Sequence, residues 1–509
     1  MICKTLLLSA VLLTAGQTPT PAITPIPAAN AASYGGQGTY LSPSSPTALA
    51  GAACGPNGCA DGCNGCGIPW FGFSRPGNAC ASGGFLSKIL HCQTPKDKNG
   101  NGDGKAKNGN GKDDAKDKNG NGDAKADDEK KDDEGPWRLF PNEVAGFKTT
   151  GWMYGTGVYN ASNGSGTRYN GPMSSNDQEG VYLNQLWLNV NRPLKDELSW
   201  GANLDFVFGN DYISSQSRGF ENANNRGWLP AWNRNTDYGI AIPQAYVEAG
   251  TTKASIKVGH FYTPHGYMVI QAPSNFFNTL PWGFMMTNPY THWGAIGTAN
   301  LSDDWTVMAG VVNGWDALDR PVNEGAILGG VKYNFQEKKG FLSVNVMSGR
   351  EPENLGAGYA NRTLVTTILD YKVTDDFNFV FEQNIGWQQN NGLDTDVFYN
   401  FSPYAFYKIN DRVKAGLRYE YFRDPSGFTA SERVNNPNNG PIPANNLGGP
   451  YSGTFQTVAV GLNWAPCGSS NLMIRPEIRY DWFQGSGTPF NAGQSKHQVM
   501  FVLGAFYQF

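Results

Sequence analysis

From about Gly146 to Phe509 the chain is a succession of short segments in which polar and apolar residues alternate. A period of two puts successive side chains on opposite faces of a β-strand. The clearest case is Ile474 to Trp482, where Arg475, Glu477, Arg479 and Asp481 share one parity and Ile474, Ile478, Tyr480 and Trp482 share the other. Lys414, Arg418 and Glu420 oppose Val413, Leu417, Tyr419 and Tyr421 in the same way, and Asn203 and Asp205 oppose Trp200, Leu204, Phe206 and Phe208.

The connections between these segments fall into two length classes. Short turns rich in Asp, Lys, Asn and Gly are predicted at Lys195 to Glu197, Gly250 to Lys253, Ser302 to Asp304, Gln336 to Lys339, Thr374 to Asp376, Asn410 to Arg412 and Pro466 to Ser470. Longer connections lie near 160–178, 210–240, 263–289, 316–324, 350–361, 388–395, 424–452 and 485–494. Strict alternation of short and long connections predicts an all-β fold of about sixteen antiparallel strands, with both chain ends of the barrel on the short-turn side.

Composition decides which solvent the apolar faces meet. The chain has 14 Trp, 23 Tyr and 28 Phe, but only 16% charged residues. Mean hydropathy is −0.44, far too low for a helical membrane protein, and no apolar stretch, the N-terminal run included, is long enough to span a bilayer as a helix. A transmembrane antiparallel β-barrel reconciles these facts, because closure satisfies every backbone hydrogen bond in lipid. Four charges turned to lipid would cost several kcal/mol, so Arg475, Glu477, Arg479 and Asp481 are expected to face a watery lumen. A soluble β-sandwich also alternates, but it explains neither the strand count nor the end of the chain. That end places Val499, Phe501, Leu503, Ala505, Tyr507 and the terminal Phe509 on one parity. An amphipathic strand closed by an aromatic residue resembles the assembly signal of bacterial outer-membrane barrels, with Tyr507 and Phe509 in that role and the barrel assembly machinery as partner.

The N-terminal third is different. Lys4 precedes an apolar run from Thr5 to Ala15, with Ala15 and Gly16 suited to cleavage, so residues 1–16 read as a signal peptide for export to the bacterial outer membrane. Residues 17–94 form a Gly/Ala/Pro-rich extramembrane segment holding Cys54, Cys59, Cys63, Cys66, Cys80 and Cys92. In an exported segment an even cysteine count reads as disulfides of open connectivity. A zinc site at Cys54, Cys59, Cys63 and Cys66 is the alternative, although the spacing lacks paired C-x2-C knuckles. Residues 95–135 are a Lys/Asp/Asn/Gly run too polar to fold and expected as a disordered linker. Its second DKNGNGD copy places Asp117, Asn119, Asn121 and Asp128 at calcium-loop positions, but without flanking apolar helices a charged spacer is the simpler reading. No metal or other cofactor is expected.

A sixteen-strand barrel leaves an aqueous channel. Asp205, Lys414, Arg418, Glu420, Arg475, Glu477, Arg479 and Asp481 are the candidate lining, and mixed signs predict mild selectivity set by the narrowest point. The third long connection is unusually apolar for a loop, with Phe276, Phe277, Trp282, Phe284, Met285 and Met286; folding into the lumen would shelter it and narrow the channel. The runs GHFYTPHGYMVIQAPSNFF (Gly259 to Phe277) and NPYTHWGAIGTANLSDDWTVMAGVVNGWD (Asn288 to Asp316) resemble the OmpL-like β-barrel porins of Gram-negative bacteria. That resemblance implies a porin fold and passive diffusion of small hydrophilic solutes or ions. Met268 stands where it leads one to expect an acidic side chain. Homotrimers are common among porins of this size. Partners are outer-membrane lipid and small solutes, and a net charge of −4 gives no reason to expect nucleic acid. Catalysis would need a base, and His91, His260, His265, His292 and His497 sit in no recognisable nucleophile constellation. The other alternative is a structural barrel that tethers the envelope through its N-terminal segment.

Overall fold

The structure, a computed structural model, describes residues 143–162, 178–221, 238–352, 358–389, 395–429, 451–467, 471–491 and 493–509. The signal peptide, the cysteine-rich segment, the charged linker with its calcium-like loop, and His91 lie outside these residues.

Sixteen strands form one closed antiparallel barrel. They are β1 (Lys148–Asn160), β2 (Gly180–Arg192), β3 (Ser199–Gly209), β4 (Gly239–Gly250), β5 (Ala254–Tyr262), β6 (Thr291–Asn300), β7 (Trp305–Val312) and β8 (Ala326–Phe335). The series continues with β9 (Gly340–Pro352), β10 (Tyr359–Lys372), β11 (Phe377–Gln389), β12 (Thr395–Asn410), β13 (Val413–Asp424), β14 (Gly453–Trp464), β15 (Leu472–Gly485) and β16 (His497–Gln508). Each strand pairs with its sequence neighbours, and β1 pairs with β16 from Trp152↔Gln508 to Asn160↔Met500 to complete the ring. Every expected short turn and long loop joins the strands where the spacing put it.

Alternation decides the faces. On β16, Phe501 and Leu503 are exposed on the outer surface, while Met500, Val502 and Phe506 are buried inward. On β3, Trp200, Leu204 and Phe206 face out while Asn203 and Asp205 are buried inside. The terminal Phe509 seals the seam: its N–H donates to the Gly151 carbonyl at 2.9 Å, and the Gly151 N–H donates to its carbonyl at 3.0 Å. Gly151 is required there, because a Cβ would lie 2.5 Å from the Phe509 ring and 2.7 Å from the Trp187 carbonyl oxygen.

The wall is irregular at one place. β4 begins at Gly239, yet its pairing with β5 runs only from Ala245↔His260 to Gly250↔Ser255. Pro243, which has no N–H to give to a ladder, sits at a bulge against β3 between Asp205↔Gln244 and Val207↔Ala241. Helix α1 (Tyr212–Ser215) is buried beside β3 and β4, and the chain that follows it covers the parting. Trp293 donates from Nε1 to the Ser217 hydroxyl at 2.9 Å, and the Trp293 ring stacks on His260 at 4.6 Å and meets Phe220 edge-on at 5.0 Å. Glu221 ties the patch down, accepting from the N–H groups of Ser217 and Ile242, each at 2.7 Å.

Candidate functional site: a loop held across the lumen

Residues 263–290 connect β5 to β6 and turn into the barrel. They contain a 3-10 turn (Ala272–Ser274) and helix α2 (Trp282–Thr287), every residue of which is buried. Phe277, Trp282, Phe284 and Met285 join one apolar cluster with inward residues of β10 to β16, among them Leu364, Phe398, Phe422 and Phe455. Trp282 packs on Phe455 at 4.7 Å between ring centres and Phe276 on Phe406 at 4.9 Å. Burial of such side chains is worth roughly 1.5–3 kcal/mol each, enough to draw the segment out of open water.

A loop carried into a barrel brings main-chain polar groups that have no ladder to join, and these must find partners. The charged residues of β13 and β15 supply them. Glu477 accepts from the N–H groups of Asn278 at 2.6 Å and Thr279 at 3.2 Å, and from the Thr279 hydroxyl at 2.5 Å. Glu420 accepts from the N–H groups of Trp282 at 2.5 Å and Gly283 at 2.6 Å. The arginines take the carbonyls: Arg418 donates to Thr279 at 2.7 Å, Arg479 to Leu280 at 2.6 Å and Arg475 to Ala272 at 2.7 Å. Asp481 accepts from the Trp282 indole at 3.0 Å and forms a buried ion pair with Arg479 at 2.9 Å. Arg418 also meets Met268 Sδ at 3.3 Å, where an acidic residue was expected, and stacks over Phe277.

The structure therefore brings six of the eight candidate lining residues together, all on the inward parity and all at 3% exposure or less beneath the loop. Lys414 faces inward nearer the short-turn end and is exposed. Asp205 lies apart, on β3. Periodicity assigned the face of each residue, but it carries no information about what covers that face. The glycines that make room for the loop were also missed. Gly416, Gly461 and Gly504 face inward, and a Cβ at these positions would meet Phe276, Phe277 and Asn278 respectively. Inward glycines on neighbouring strands are the signal that could have revealed the docking surface.

His260 and His292 lie on the adjacent strands β5 and β6 with His265 in the loop between them, while His497 is on β16. His265 donates or accepts at 2.7 Å with the Thr366 hydroxyl, His292 bonds Thr263 at 3.0 Å, and His497 bonds Tyr480 at 2.8 Å. Burial pushes the His265 imidazole down to about 3, so it stays neutral.

Open space remains beside the loop. A cavity of about 420 Å³ lies between the loop stretch 268–274 and the inner faces of β1 to β5, lined by Trp152, Trp187, Asn189, Asp205, Gln244 and Tyr262. The rings of Trp152 and Trp187 stack at 4.9 Å. Asp205 collects donors from Asn189, from Asn203 at 3.2 Å, from Gln244 at 3.0 Å and from the Tyr262 hydroxyl at 2.8 Å.

Among solved structures the chain is similar to the outer membrane channel DcaP of Acinetobacter baumannii, with 13% identity and a TM-score of 0.48 over 72% of this chain and 99% of that one. It is similar also to the anion-selective porin of Comamonas acidovorans, with 10% identity and a TM-score of 0.49 over 71% and 99%. The trimer form of OmpT from Vibrio cholerae gives 11% identity and a TM-score of 0.46 over 71% and 99%. A comparison with curated proteins finds no match. Residues 146–509 match the family described as "Putative beta-barrel porin-2, OmpL-like". With that match covering well over half of its length, the chain belongs to the OmpL-like β-barrel porin family and is a porin of the bacterial outer membrane.

Proposed function

We propose that this porin admits small hydrophilic solutes or ions by passive diffusion along a lumen whose narrowest part is set by loop 263–290. The observation that carries the reading is the latch: Glu420, Glu477 and three arginines bind the loop's own main chain, which fixes it across the barrel. Phe276, Phe277, Trp282, Phe284 and Met285 then form the body of the constriction, with Lys414 on the wall toward the short-turn mouth. A channel, with no catalytic step, accounts for this arrangement. Recording purified, folded protein in planar bilayers tests it directly: discrete conductance steps are expected, and a folded barrel that gives none ends the reading.

Export through residues 1–16, assembly through Tyr507 and Phe509, and a homotrimer complete the proposal. The outer face around β6 suits a subunit contact, because Ala249, Gly297, Ala299 and Ala309 line a groove beside exposed apolar residues such as Ile256 and Val311. Light scattering in detergent should give three times the protomer mass, and Gly297→Trp should reduce it to one.

A further inference from the structure

The charges gathered beneath the loop balance one another. Three arginines, Arg418, Arg475 and Arg479, stand with three carboxylates, Glu420, Glu477 and Asp481, in one buried cluster at 3% exposure or less, so the cluster has no net charge and little of it faces open space. Among the described residues open space remains in the cavity against β1 to β5, and its lining contains one carboxylate, Asp205, with neither lysine nor arginine. The donors around Asp205 are three side-chain amides and a phenol, all uncharged, so its negative charge has hydrogen-bonded support and no counter-cation. His265, at the same cavity, is neutral. Nearer the short-turn end, Glu248 and Lys257 face one another across β4 and β5 and offset each other. A confined, water-filled space with low-dielectric walls and one uncompensated charge concentrates counter-ions.

We propose that Asp205 makes this passage cation-selective, favouring monovalent inorganic cations and small organic ammonium ions over anions. The inference rests on the porin reading and extends it to the ion class. Asp205 acts through its field, so a solute need not touch it.

The test is the reversal potential of purified full-length protein in a planar bilayer under a potassium chloride gradient. Wild type should favour potassium over chloride, and Asp205→Asn should move the permeability ratio toward unity by about twofold or more. Asp375→Asn, in the exposed turn between β10 and β11, should leave the ratio as it is. An anion-preferring wild type, or an Asp205→Asn channel with unchanged selectivity, overturns the proposal. If Asp205→Asn fails to fold, wild type alone decides. Its preference should weaken between about 0.1 and 1 M salt as the screening length falls from about 10 to 3 Å, and a salt-independent preference overturns the idea. Absence of any conductance would instead count against the porin reading itself.

Discussion

Glu420, on β13, spans the first turn of helix α2 with its two carboxylate oxygens, one accepting from Trp282 and the other from Gly283. Hydrogen bonds to a charged group contribute about 1.5–3 kcal/mol apiece. Replacing Glu420 and Glu477 together by Gln should therefore free the loop while leaving the barrel closed. Single-channel recordings should show a larger and noisier conductance than wild type. An unaltered conductance in the folded double variant would mean that the loop does not set the narrowest point.

The wall glycines make a steric counterpart to that experiment. Gly416 leaves room for the Phe276 ring, which a Cβ at that position would approach to 2.3 Å. Gly416→Leu should displace the ring at a cost of roughly 1–3 kcal/mol, the usual range for overpacking. The expected readout is a lower denaturation midpoint and a redder Trp emission as Trp282 becomes hydrated. A midpoint equal to that of wild type would show that the loop does not pack there.

Acidity should tighten the patch that covers the parting of β4 and β5. Burial pushes the Glu221 carboxyl up to about 7 from 4.5, against the pull of its two main-chain donors. Because the folded value is raised, the proton is favoured by the native loop. Stability is complete below about 4.5 and is lost as pH rises through 7, by an amount on the order of 3 kcal/mol. Hydrogen-exchange protection of residues 210–221, taken relative to the intrinsic amide rate at each pH, should accordingly be greater at pH 5 than at pH 8, and Glu221→Gln should flatten the difference. His260, which bonds the carbonyl of Ile242 at 2.9 Å, is the titratable neighbour to monitor as a control.

Outward positions should tolerate charge badly. Leu503 is 57% exposed at mid-strand on β16. Leu503→Arg should lower folding stability in lipid vesicles by about 2–4 kcal/mol, the range for arginine near the bilayer midplane. The same substitution at exposed Leu198, in the turn between β2 and β3, should have little effect. Equal losses at the two sites would contradict the placement of the lipid belt.

Much of this architecture could be read from the chain because strand periodicity is a local property. The parity of Arg475 to Asp481 needs only the residues themselves, and the short turns carry their own Asp, Asn and Gly signals. The apolar character of loop 263–290 likewise showed that it would avoid open water. The latch could not be read in this way, since Glu477 and Thr279 are 198 residues apart and their bond depends on barrel closure. The parting at Pro243 was also hidden: a proline inside a strand announces a bulge, but not that residues 217–221 will cover it. Asp205 looked like one lining charge among eight, and its isolation emerged only once the loop had claimed the others.

The charged anchors on β13 and β15 lie 137 to 203 residues downstream of the loop segments they hold, whereas Gln185 on β2, which bonds Ile270 and Ala272, precedes the loop. Loop docking must therefore follow the pairing of β13 to β15, because before that the carboxylates and guanidiniums have no fixed positions from which to bind it. Contacts of such long sequence separation form late, so the charged part of the latch is among the last elements to be completed. Variants that slow the last strands should transiently leak solutes that the mature protein excludes.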